Sequence, residues 1–150
     1  MINSIIESVS IALNAEFGDA YKVYAENNKQ GFQEPCFFIQ CINPTHDLFL
    51  GLVDSQRKRY FRQNQFCIQY FPQDELQPRN EIHSVCERLE FCLEWITNDG
   101  DLARGTQMHY EIVDDVLSFF VNYDLFIHVL TDKTAMEEIE LNQSVESEDV

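Results

Sequence analysis

The alternation of apolar and polar side chains is clearest in residues 57–72, RKRYFRQNQFCIQYFP, where Phe66, Ile68 and Tyr70 interleave with Gln65, Cys67 and Gln69. Successive side chains of a strand point to opposite sides of a sheet, so a period of two predicts a strand with one buried face. Its position mid-chain, between a strand-like run and a helix, makes it the expected centre of the sheet. Upstream, Ile5, Val9, Leu13 and Phe17 recur at helical spacing, with Ile2, Ile6 and Ala12 widening the stripe, which predicts an amphipathic first helix. Ser4 and Glu7 have the spacing of a capping box, in which the hydroxyl accepts a backbone N–H and the carboxylate reaches back. Gly18 supplies a left-handed stop. Residues 21–25 form a short strand candidate, and residues 26–33, ENNKQGFQ, a turn-rich reversal.

Residues 35–43 predict the second strand, with Phe37, Ile39 and Cys41 on one face and Cys36, Phe38, Gln40 and Ile42 on the other. Apolar groups on both faces imply a strand inside the sheet or under a helix. Asn43-Pro44 is expected to end it, because proline has no N–H for the ladder. Residues 45–59 then read as a connection, with an apolar island at residues 48–53 and a basic cluster at its end. After a turn at residues 72–77, Pro78 suits a first helical turn. Ile82, Val85, Cys86, Leu89, Cys92, Leu93 and Ile96 follow on one helical face, while Phe91 and Trp95 fall away from it. Asn98-Asp99-Gly100 is the expected stop.

A long C-terminal hairpin closes the folded part. Residues 102–113 place Met108, Tyr110 and Ile112 on one face, Asp114-Asp115 turns, and residues 116–130 return. In the return strand Leu117, Phe119, Val121, Tyr123, Leu125, Ile127 and Val129 share a face, with Asn122, Asp124 and His128 opposite. Residues 131–150 are acidic and lack aromatics, which predicts a flexible tail with at most a helical turn near residues 135–141. The order α-β-β-β-α-β-β predicts one α+β domain over residues 1–130, a mainly antiparallel sheet of about five strands covered by two helices.

Composition sharpens this outline. A chain of 150 residues, 45% apolar and with 12 Phe, is large enough for one well-buried core. Ten basic residues against 26 acidic ones leave a net charge of −16, of which residues 132–150 carry −6 and the rest −10. So acidic a body disfavours nucleic-acid binding, which needs clustered cations facing phosphates, and points to protein partners. Arg57, Lys58, Arg59 and Arg62 stand out against it. They are either a solvated entrance whose charges discourage edge-to-edge pairing or a docking patch drawn to an acidic surface, including that of another copy. Phe91 and Trp95 likewise either meet a second core layer or anchor a subunit contact. The N-terminus, MINSIIESVS, does not read as a signal peptide, and no apolar run reaches membrane-spanning length. Five cysteines without framework spacing suit a reducing cytoplasm.

Catalytic chemistry is sparse. Cys36 with Cys41, and Cys86 with Cys92, lack the CxxC spacing of a zinc site, and buried packing roles are expected for them. There is no GxGxxG, phosphate-cradling loop or GxSxG elbow, so no cofactor is expected. His46, His83, His109 and His128 are scattered. A nucleophilic pair of Cys36 or Cys41 with a histidine, brought together by the fold, is the remaining route to a small cysteine-dependent enzyme.

The segments INSIIESVSIALNAEFGDAYKVYAE, QEPCFFIQCINP, RYFRQNQFCIQYFP, a helix ending CLEWI and a hairpin ending LSFFVNYDLFIHV together resemble the phage tail terminator (tail completion) family of phages and prophages of Gram-positive bacteria. The likeness covers roughly residues 1–130 and rests on strands rather than on a reaction motif. It implies a small α+β subunit of the virion, made in the bacterial cytoplasm, that forms a ring, typically a hexamer, on the head-proximal end of the tail tube. There it ends tube polymerisation and offers a surface to the head–tail connector protein. The implied partners are further copies of itself, the tube protein and the connector, with DNA at most passing through the lumen and no membrane. A different head–tail joining protein is the alternative within the same architecture. No catalytic residue carries over. Arg57, Lys58, Arg59, Arg62, Phe91 and Trp95, together with the extended hairpin of residues 102–130, are interface candidates by their own chemistry.

Overall fold

The computed structural model describes residues 1–26, 33–51, 57–131 and 139–142. Most of the expected reversal at residues 26–33, the end of the apolar island and most of the acidic tail lie outside the described residues. Along the chain run α1 (Ile2–Phe17), β1 (Lys22–Ala25), β2 (Cys36–Gly51), β3 (Arg57–Phe71), α2 (Pro78–Cys92), β4 (Trp95–Asn98), β5 (Asp101–Val113), β6 (Val116–Thr131) and β7 (Ile139–Asn142). Among the described residues seven strands form one sheet in the order β1-β2-β3-β6-β5-β4, with β7 added to β6. Only β1 and β2 pair in parallel among the described residues, and the other pairs are antiparallel. The expected α+β class is what the chain adopts, with two strands more than the pattern had suggested.

The core forms between the helices and one sheet face. Ile5, Val9 and Leu13 of α1 and Ile82 and Leu89 of α2 are fully buried against Phe37, Ile39, Phe66, Ile68, Tyr70, Leu117, Phe119, Val121 and Tyr123. Each such side chain contributes roughly 1.5–3 kcal/mol on leaving water. These strand residues are direct cross-strand partners: Phe37 with Tyr70, Ile68 with Phe119, Phe66 with Val121. A shift of one residue would turn all of them to the other face, so burial fixes the register. Phe17, Phe37 and Tyr70 pack in series as tilted rings, with centroids 4.9 Å apart at each step. The two helices are tied at the surface by Arg88, whose guanidinium lies 4.2 Å from the Phe17 ring and donates to a Glu16 carboxylate oxygen at 2.9 Å.

Several local expectations are corrected. The capping box does not form: α1 begins at Ile2, so Ser4 is already inside the helix and its hydroxyl donates back to the Met1 carbonyl at 2.7 Å. Gly18 ends α1 as expected, but at φ 84° and ψ −178° rather than in the left-handed helical region. Asn43-Pro44 does not end β2. Ile42 pairs with Gln65 and Thr45 with Gln63, so one extra residue is absorbed in a bulge, with Asn43 at φ 47°. A proline without an N–H is tolerated there because the bulged segment leaves the ladder. Residues 45–51 and 57–59 of the presumed connection are therefore strand, and β2 and β3 pair over a longer stretch than β5 and β6 do.

The second helix stops at Cys92, not at Asn98. Trp95 and Ile96 belong to β4, and Asp99-Gly100, both at positive φ, turn β4 into β5. Such two-residue turns match the right-handed twist of the strands they join. Asp114-Asp115 makes the second turn of this kind, between β5 and β6, as expected. Where a helical turn was expected within residues 135–141, Ile139–Asn142 instead pairs with His128–Thr131.

Candidate assembly interface

The basic cluster lies on β3, and strand alternation divides it between two faces. Cross-strand partners share a face, so Lys58 and Arg62, opposite Val129 and Leu125, point to the helix-facing side, while Arg59, opposite His128, points away. Arg59 is 9% exposed, with its guanidinium 4.3 Å from the centroid of Phe126. Arg62 Nε donates to Asn64 Oδ1 at 3.3 Å, and Asn64, fully buried, donates through Nδ2 to the Tyr123 carbonyl at 3.1 Å. Lys58 is exposed. Arg57 is placed by its backbone pairing with Leu130, and its side chain lies outside the described part. Lys58, Arg59 and Arg62 thus do not form a single patch. Lys58 and Arg62 go together, beside Tyr60, Leu48 and His46, which lie on the same face by register. His46 stacks on Tyr60 with centroids 4.7 Å apart, and Leu48 is 55% exposed.

Phe91 and Trp95 do not meet a second layer of this chain: they are 81% and 52% exposed. Phe91 lies in the last turn of α2, on a stripe with Glu87 and Glu90, and Glu94 follows just beyond the helix end at the same spacing. Trp95 projects from β4 together with Thr97, and their partners Arg104 and Leu102 share that outer side. Leu102 is 61% exposed, and the Arg104 guanidinium sits 3.8 Å from Glu94 and 5.9 Å from the Trp95 ring centroid. Sequence reading placed Leu102 only within the hairpin of residues 102–130 and Leu48 only within the apolar island, and singled out neither side chain. Their signal was present, since each lies two residues from a partner on the same strand face, but the assignment of β4 and of the second half of β2 is needed to see it.

The exit of α2 that carries this surface is firmly held. Tyr123 Oη donates to the Leu93 carbonyl at 2.6 Å, and Gly105 N donates to the Glu94 carbonyl at 2.6 Å. At the other end of α2 the Glu81 carboxylate accepts from the Tyr70 hydroxyl and from Gln73 and Asp74 N–H at 2.9 and 2.8 Å, closing the turn between β3 and the helix.

Nucleophilic chemistry finds little support in the same geometry. Burial and then Glu34 push the Cys36 thiol up to about 11; burial, then Glu90 and Glu87, push Cys86 up to about 12. Burial and Glu16 raise Cys92 to about 12 despite Arg88, and Cys41 and Cys67 also move up, mainly through burial. A reactive cysteine needs the opposite shift. His46, His83 and His109 each pack on an aromatic ring, Tyr60, Tyr110 and Phe120 respectively. Among the described residues no group of three or more His, Cys, Asp or Glu could hold a metal ion. An open groove of about 480 Å³ between α1 and β1, lined by Glu7, Ser10, Ile11, Asn14, Tyr21 and Val23 among others, brings no catalytic set together.

The described residues present unlike exposed surfaces, and the family comparison bears on what such surfaces serve. The model of the phage tail terminator protein family matches residues 4–137, nearly the whole chain. The chain belongs to that family. Comparison with curated proteins returns no match. Tail terminators are structural proteins of the phage tail, so this one is a virion component that serves tail completion and meets other phage tail or head proteins. Among the described residues, no helix is long and apolar enough to cross a membrane.

Proposed function

We propose that this tail terminator acts as a ring, hexameric to match the tail tube, seated on the head-proximal end of the tube. It halts addition of tube protein and presents its far face to the head–tail connector protein. Family membership over residues 4–137 carries the reading. The exposed aromatics Phe91 and Trp95 and the strand-borne cations Lys58 and Arg62 support it as contact-forming groups on an otherwise acidic chain. The mechanism is geometric. Subunits that meet through unlike surfaces close into a ring when the rotation between them closes, and the face left uppermost lacks the groups the next tube ring would need. Contacts of this kind bury about 1,200 Å² or more in total. Ring assembly takes place in the bacterial cytoplasm, and with a net charge of −16 the lumen lets DNA pass without holding it.

Electron microscopy of tube protein assembled with and without this chain tests the proposal. Shorter tubes with added density at one end are expected. An unchanged length distribution and bare ends would reject it.

A further inference from the structure

Two of the exposed surfaces are complementary to each other. The first is acidic and aromatic: Glu87, Glu90, Phe91 and Glu94 along one stripe at the end of α2, continued by Trp95 on β4. Arg104 compensates one of these carboxylates, at 3.8 Å from Glu94, while Glu87 and Glu90 are exposed and have no ion pair among the described residues. The second is basic and aromatic: Lys58, Tyr60 and Arg62 on β3, with His46 and Leu48 beside them on β2. Lys58 and Arg62 likewise have no ion pair among the described residues. Glu26, which accepts from Cys41 N at 2.7 Å, bears on the inner end of this face, since it and Arg62 act on the same thiol. In the strand order the two surfaces fall on opposite sides of β6, the acidic one with β4 and β5 and the basic one with β2 and β3.

We infer that the acidic–aromatic end of α2 and β4 in one copy seats on the basic–aromatic face of the β2–β3 hairpin in the next copy. This rests on the ring reading above and names its contact. Phe91 and Trp95 supply the large apolar anchors that dominate interface energetics, here set against Leu48 and Tyr60. Glu87 and Glu90 meet Lys58 and Arg62, which fixes register and excludes the reverse pairing, because acid on acid or base on base is repulsive. Each copy carries one surface of each kind, so the contact is head-to-tail and repeats until it closes. The split of the cations by strand alternation is what makes this possible: Arg59 is committed to Phe126, whereas Lys58 and Arg62 lie on the other face beside Tyr60 and Leu48.

Charge exchange tests the contact. Full-length protein is followed by sedimentation velocity, alone and with tube protein, as wild type, as Lys58→Glu with Arg62→Glu, and as Glu87→Lys with Glu90→Lys. Each double variant is expected to weaken self-association by roughly tenfold or more, with an unchanged melting temperature. An equimolar mixture of the two is expected to assemble again, since the altered faces now attract each other and the unaltered faces remain. Should Arg62→Glu disturb folding through Asn64, Lys58→Glu alone takes its place; Phe91→Ser, at a site 81% exposed, tests the apolar half. Wild type that stays monomeric both alone and with tube protein, variants that associate like wild type, or folded variants whose mixture stays apart would each overturn the contact. Tube-end density is scored separately: normal capping by variants that fail to exchange rejects this contact and leaves capping intact, whereas exchange without capping does the reverse.

Discussion

Burial keeps the thiols of this chain protonated, and that sets how its stability depends on pH. In the unfolded chain a cysteine titrates near its ordinary value of 9.0, whereas in the folded protein Cys36 is held at about 11 and Cys86 and Cys92 at about 12. The folded state therefore binds these protons more tightly than the unfolded state does. The stability this contributes is fully present below 9.0 and is lost as pH rises toward 11–12. The phenols of Tyr70 and Tyr123, raised mainly by burial, add to the same alkaline loss. We expect a melting temperature that is flat with respect to these groups up to pH 9 and falls steadily above it, and slow alkylation of every cysteine near neutral pH. One thiol that reacts at neutral pH as fast as a free cysteine would point to a depressed pKa and reopen the cysteine-dependent alternative.

Between elements, the position that decides most is Gly105. A Cβ there would stand 2.5 Å from the Leu93 carbonyl oxygen, 2.8 Å from Val121 Cγ2 and 3.1 Å from Met108 Cε. The first of these neighbours is backbone, held by Tyr123 and unable to turn aside. Gly105→Ala is therefore expected to push the exit of α2 off β5 and to cost about 1–3 kcal/mol, the usual range for overpacking. Urea unfolding measures it, and an unchanged midpoint would show that the exit yields freely. The same junction marks where sequence reading failed. β3 and β6 were legible because each has one long buried face, and an alternation of Phe66, Ile68 and Tyr70 against glutamines has no helical counterpart. Cys92, Leu93 and Ile96 also fit a helical face, and four residues of β4 are too few for a period of two to compete with it. The split of Lys58 and Arg62 from Arg59 follows from strand alternation, but only once residues 57–62 are known to be strand rather than loop. Pro44 misled for a related reason: the rule that proline ends a ladder holds for paired positions, and Asn43-Pro44 sits in a bulge.

On the scale of the whole molecule, β6 joins two unequal halves of the sheet. Its first part, through Tyr123, lies between β3 and β5 under the helices, and the continuous core reaches only as far as Leu125. Beyond that point Ile127 and Val129 are still buried, but they belong to the stretch where β2, β3, β6 and β7 extend past β5. This stretch carries the Lys58–Arg62 surface, so its order matters to assembly more than to folding. We propose that residues 1–130 form the autonomous folding unit and that the acidic segment from residue 131 contributes mainly through β7. Removing residues 139–150 deletes the ladder partner of His128–Thr131. The lost backbone bonds lie at a sheet edge where water replaces them, so the expected drop in global stability is under about 2 kcal/mol. Amide hydrogen exchange is expected to quicken at residues 128–131 and to stay unchanged at residues 117–123, which retain both neighbours. The bared edge also offers free N–H and C=O groups to other chains, so the truncated protein should aggregate more readily at high concentration. Loss of protection throughout β6, or of cooperative unfolding, would instead make the C-terminal strand part of the core and move the domain boundary beyond residue 130.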